Sequence, residues 1–182
     1  MKKITYDMLV ALDACEPQRE AFIEKFGDEL VLTLDMDFSV AVGMDVDWIA
    51  EQLFSSDEWD RYLTETGADR DALYAERDQL NVVYLKAVEP HKLVQEALVR
   101  PVHEAMLQAI TDRQHGLIPL EALEYARKRH REVAAEANAA FNAATKDASD
   151  TYCAGCDRLN DALTPKLAEV FVRIYLEQPD HE

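Results

Sequence analysis

Glycine and proline are scarce in this sequence, five and six in 182 residues, and aromatic residues make up only 8%. So few turn formers exclude a fold of many hairpins and favour long helices. Cysteine occurs three times, and a small odd number does not build a disulfide framework. A reducing cytoplasm is the expected compartment. No stretch approaches the roughly 18 consecutive apolar residues that suggest a membrane-spanning helix. Lys2 and Lys3 are not followed by an apolar segment, so the start does not read as a signal peptide. Glycine-rich phosphate loops, an H-E-x-x-H helix and a Ser or Cys nucleophile beside a base are also missing. The expectation is a chain without catalysis, cofactor or metal.

Positive charge is the remaining shortage: 19 Lys and Arg face 36 Asp and Glu, a net charge of −17. Residues 1–65 hold 16 acids against 5 bases, and residues 66–182 hold 20 against 14. Between Asp28 and Asp69 there are twelve acids and one base, Arg61. A surface of that density repels nucleic acid and attracts basic partners, although an acidic face also serves plain solubility. The candidate partner-binding residues are Asp35, Asp37, Asp45, Asp47, Glu51, Asp57, Glu58 and Asp60.

Alanine dominates a hydrophobic content of 48%. Thr5 to Ala14 reads as a turn or two of helix, and Cys15 to Gly27 as a helix from start to stop. In the latter, Pro17 occupies the first turn, Phe22, Ile23 and Phe26 supply a buried face, and Gly27 ends it. Leu30 to Leu34 is the one fair strand candidate, equally readable as an extended connector. Asp35 or Asp37 caps a short helix to Val42, and Asp45 or Asp47 caps a second through Phe54. Ser55-Ser56 stops that second helix, and Asp57 to Thr66 adds another turn or two.

From Ala68 the pattern becomes repetitive. Val83 and Val94, Val88 and Val99, Leu98 and Ala109, and the prolines Pro90 and Pro101 are each 11 apart. Proline inside a helix removes a hydrogen bond and kinks it, so a segmented helix with breaks at Pro90 and Pro101 is expected. His115 to Pro119 is a clear turn. Beyond it, Ala134, Ala137, Phe141, Thr145, Ala148, Tyr152, Cys156, Leu159, Leu163, Leu167, Val170 and Ile174 recur at steps of 3, 4 and 4. Three helical turns take about 10.8 residues, so this stripe stays almost straight along a helix of roughly 85 Å. Phe141, Tyr152, Leu159, Leu163, Leu167, Val170 and Ile174 are its candidate residues for helix packing or oligomerisation.

The expected fold is therefore mainly α. A small acidic N-terminal module (1–66), with at most one short strand, precedes a long antiparallel, coiled-coil-like helical hairpin with 11-residue repeats (67–182). Its two arms run over about 68–114 and 119–177.

The N-terminal order, with Ala14, Cys15, Gln18, Phe22, Phe26 and Gly27, then Asp47, Trp48, Leu53 and Phe54, resembles a phage and prophage protein family of uncharacterised activity. It is also similar to segments of immunity proteins. The resemblance covers residues 4–56 closely and extends loosely to about 110, where relatives carry helical repeats with a proline about every 11 residues. It implies phage origin but no chemistry.

Three groups could carry chemistry. Cys153 and Cys156 form a C-x-x-C, half of a zinc site or a redox pair, but Cys156 falls on the apolar stripe as an ordinary small hydrophobe. His91, His103 and His115 are 12 apart, too far along a helix for one ion, and His130 continues the stripe as a boundary histidine. Arg127 to Arg131 is a basic island, expected to pair with acidic helices of its own chain or of a partner. The leading functional expectation is a non-catalytic interaction protein, with an acidic inhibitor imitating nucleic-acid charge against a host protein as its concrete form. A structural oligomeric coiled-coil component and a metal-binding protein using Cys153 and Cys156 are the alternatives.

Overall fold

The computed structural model describes residues 1–179. Strand β1 (Lys3–Thr5) pairs antiparallel with β2 (Glu29–Val31), with Ile4 opposite Leu30. The strand at Leu30 thus has a partner, drawn from residues whose short, charged sequence carries no strand signal of its own. Leu32 to Leu34 lie beyond the ladder, and Leu32 enters the core. Thr5 ends β1 and caps α1 (Tyr6–Ala11), its Oγ1 accepting from the Met8 amide at 3.2 Å. Helix α2 (Glu16–Phe26) has Pro17 in its first turn and ends at Gly27, whose φ of 69° suits a residue without a Cβ. Asp37 caps a 3-10 turn (Phe38–Ala41), and Asp45 caps α3 (Val46–Leu53), accepting from the Trp48 amide at 3.0 Å.

Ser55 and Ser56 do more than stop α3. The Glu58 carboxylate accepts from both the Ser55 amide and its hydroxyl at 2.8 Å, the reciprocal half of an S-x-x-E capping pattern. Helix α4 (Ser56–Gln114) therefore starts where a connector was expected and absorbs the separate turns over Asp57 to Thr66. It also runs through Pro90 and Pro101 without a break, which corrects the segmented helix. Each proline removes one backbone hydrogen bond, while the turns on either side keep theirs and a packed inner face holds the axis. Gly116, with φ 71°, turns the chain into α5 (Leu120–Glu177), which continues through Pro165.

The chain forms two compact units, Met1–Arg77 with Cys156–Glu182, and Asp78–Gly155. The contacts divide the chain after Arg77, where the sequence suggests residue 66, and the last three residues of the expected second domain lie outside the described residues. The reason is burial. Leu167, Ala168, Phe171, Val172 and Ile174 of α5 share one core with Ile4, Leu9, Phe22, Leu32, Ile49 and Tyr62. The Phe171 ring centroid lies 5.3 Å from that of Phe54. Lys2 caps the C-terminal end of α5, donating to the carbonyls of Tyr175 at 2.5 Å and Gln178 at 2.6 Å, where a cation suits the helix dipole. The N-terminal module is therefore completed by the last turns of the chain.

In both units the helices run antiparallel. Glu65 pairs with Arg173 and Asp69 with Lys166 in the first, and Gln95 bonds Asn138 and His103 meets His130 in the second. All twelve stripe residues of α5, from Ala134 to Ile174, are buried or half-buried. In the second unit the interior is narrow. A Cβ added to Gly155 would lie 2.7 Å from Leu80 Cδ1, so glycine there lets the helix backbone approach.

Candidate functional site

The acidic face belongs to the first unit, and the fold divides its eight residues into two kinds. Asp37, Asp45 and Glu58 serve as helix caps, as above, though Asp37 and Asp45 remain exposed. Asp47 is half-buried. Its carboxylate accepts from the Tyr62 hydroxyl at 2.7 Å and from both terminal nitrogens of Arg70, at 2.8 and 2.6 Å. Arg70 Nε donates in turn to the Thr66 hydroxyl at 2.9 Å, and that hydroxyl donates to the Tyr62 carbonyl at 2.8 Å. Burial pushes the Asp47 carboxyl up, but hydrogen bonds from Arg70 and Tyr62 and the Arg70 charge outweigh it, leaving it below the usual carboxylate range. Tyr62 is pushed up by burial and by its bond to Asp47, so it stays a neutral donor. Asp47 is accordingly an anchor between α3 and α4, and among the described residues it is the one of the eight acids whose carboxylate is engaged by side chains of another helix.

Asp35, Glu51, Asp57 and Asp60 are exposed, and their carboxylates make no hydrogen bond or ion pair among the described residues. They are the free acids of the face. The unit that carries them holds 25 Asp and Glu against 10 Lys and Arg, a net of −15; the second unit holds 11 against 9, a net of −2. The chain's negative charge is thus almost wholly a property of the first unit.

Gln18 organises the edge of this face. Its Oε1 accepts from the Asp45 amide at 2.9 Å and so holds the loop that begins α3. Beside it a cavity of about 350 Å³ opens between Gln18, Asp45, Asp47, Arg70 and Tyr74. Tyr62, Thr66 and Arg70 did not stand out in the sequence. Their spacing of four and four on one helix face, pointing back at a capped Asp-Trp helix, was the available signal.

The second unit holds the other candidates. His103 Nδ1 lies 3.4 Å from His130 Nε2 across the hairpin, at the edge of an open groove of about 480 Å³ lined also by Gln95, Arg100 and Asn138. The spacing of 12 separates His91, His103 and His115 along the chain; the antiparallel fold instead brings His103 to His130 on the other arm. Among the described residues no group of three metal-ligating side chains converges. Among the described residues the basic island makes no ion pair with another helix of its own chain. Lys128 pairs only with Glu132 one turn on, at 3.8 Å, and Arg127, Arg129 and Arg131 form no ion pair among the described residues. Cys153 is exposed and Cys156 half-buried, both as free thiols on α5. Among the described residues no helix is long and apolar enough to cross a membrane. No family model, curated protein or solved structure matches the chain.

Proposed function

We propose that this chain acts by binding, without catalysis of its own, and that its first unit docks on the basic groove of another protein. The observation that carries this reading is the segregation of charge, −15 on one unit against −2 on the other. Solubility alone asks for charges of both signs spread over the whole surface, whereas a field of one sign on one unit steers a basic partner. Asp35, Glu51, Asp57 and Asp60 are the contact acids, since their carboxylates are exposed and engaged by no other group among the described residues. Such a surface imitates the phosphates of nucleic acid and suits an inhibitor of a nucleic-acid-binding or defence protein. The phage resemblance of residues 4–56 provides the setting, a host cytoplasm.

Capture from host extract at rising salt, with duplex DNA as competitor, tests the proposal. The bound protein is expected to leave as salt rises, to be displaced by DNA, and to be lost when Asp35, Glu51, Asp57 and Asp60 are made amides. Retention indifferent to all three removes the charge-imitation reading.

A further inference from the structure

Helix α4 carries a second apolar stripe, on the side that its own hairpin leaves uncovered. Val83, Ala87, Pro90, Val94, Leu98, Pro101 and Ala105 are all exposed, with Val83 66% accessible, Val94 59% and Leu98 53%. Val82 and Leu93 widen it, at 50% and 57%. The inner face of the same segment is separate: Tyr84, Val88, Gln95, Val99, Val102 and Met106 turn toward α5 and are buried or half-buried. Exposed single hydrophobics are ordinary, but a contiguous row over six helical turns marks an interaction surface.

Two features of the row say what covers it. Its steps are 4, 3, 4, 4, 3 and 4, which read the same in both directions about Val94. A helix with such spacing meets an antiparallel copy of itself in register, as a two-fold interface requires. Val94 then faces Val94, Pro90 faces Leu98, Ala87 faces Pro101 and Val83 faces Ala105. One pair of charges matches this arrangement. Lys86 and Glu104 flank the stripe, whereas Glu89, Lys92, Glu96 and Arg100 lie on the far side of the helix, where Glu96 pairs with Lys92 and Arg100. Lys86 and Glu104 are five helical turns apart on one flank of the stripe, so each lies beside the opposite charge of an antiparallel copy. Residues 82–105 hold three acids and three bases, no net charge, in a chain of −17. Self-association at this one place is therefore not opposed by repulsion. The nine residues present on the order of 600 Å² of surface per copy, near the ~800 Å² per partner of a standard interface.

We propose that a second copy of this chain docks antiparallel on this stripe, giving a two-fold dimer centred on Val94. The α5 stripe from Phe141 to Ile174 does not serve this purpose, since it is spent inside each copy. The proposal is independent of the acidic-face reading, because the stripe lies in the other unit.

Sedimentation equilibrium of the full chain tests it, beside a chain carrying Val94→Lys and Leu98→Lys. Both positions are exposed, so the variant is expected to keep parent helicity by circular dichroism. The parent is expected as a dimer at micromolar concentration, and two lysines placed in a dry contact weaken it by about a hundredfold or more. A parent that stays monomeric, or a dimer that tolerates both lysines, overturns the proposal. Direction is read by mixing Ala87→Cys and Pro101→Cys chains under mild oxidation and identifying cross-linked peptides by mass. The mixed disulfide is expected; bonds joining only residue 87 to residue 87 overturn the antiparallel arrangement.

Discussion

Replacing Asp47 by asparagine keeps the size of the side chain and removes the charge that holds α3 against α4. In the parent, Asp47 accepts two hydrogen bonds from Arg70 and one from Tyr62, all between 2.6 and 2.8 Å. Hydrogen bonds to a charged group contribute about 1.5–3 kcal/mol each in stability measurements. That figure is reduced here, because the Asp47 side chain is 39% exposed and water screens it. Asparagine also retains one acceptor oxygen for the fork. The expected net loss is about 1–2 kcal/mol at neutral pH. Both tryptophans, Trp48 and Trp59, lie in the first unit, so urea unfolding followed by their fluorescence reports that unit separately. The pH dependence gives a second reading. A carboxyl held below its unfolded value of about 3.9 contributes stability above that value and loses it as pH falls through the folded one. The gap between parent and Asp47→Asn is therefore full at pH 7 and closes under acid. Equal midpoints at neutral pH, or a gap that persists unchanged into strong acid, would refute the role assigned to the clamp.

Gly67 sits within α4 with nothing within 4 Å of an added Cβ, so Gly67→Ala is expected to stabilise the first unit by about 0.5–1 kcal/mol. A higher urea midpoint from the same tryptophans is the readout. Phe171 is 3% exposed in the shared core, and Phe171→Ala is expected to cost the first unit about 3–5 kcal/mol. Loss of cooperative tryptophan unfolding at low urea, although the change lies far from either tryptophan in sequence, is its signature.

Much of the local architecture was legible because its causes are local. Pro17 and Gly27 frame α2, Asp45 caps α3, and Gly116 marks the turn of the hairpin, each by backbone chemistry within a few residues. The start of α4 was legible too, in Ser55 and Glu58, but Ser55-Ser56 reads first as the stop of the helix before it. Strand β1 carries no pattern of its own; it forms because Leu30 has the length of Lys3 to Thr5 to pair with. Of the candidate acids, composition identified the face but not the roles, since capping, clamping and free carboxylates are the same residue types.

The helical content, the inward stripe from Ala134 to Ile174 and the excess of acid were determined by the sequence itself, because spacing and charge do not depend on what lies opposite. What lies opposite was decided by tertiary structure alone. An 11-residue stripe says which side of α5 is buried and not against what; its Leu167 to Ile174 end went to the N-terminal core, while the alanines and Gly155 went to α4. The same holds for Asp47, which became an anchor only when Arg70, 23 residues on, came within 2.6 Å. Pairing at a distance depends on how the chain returns, and no local period contains that information.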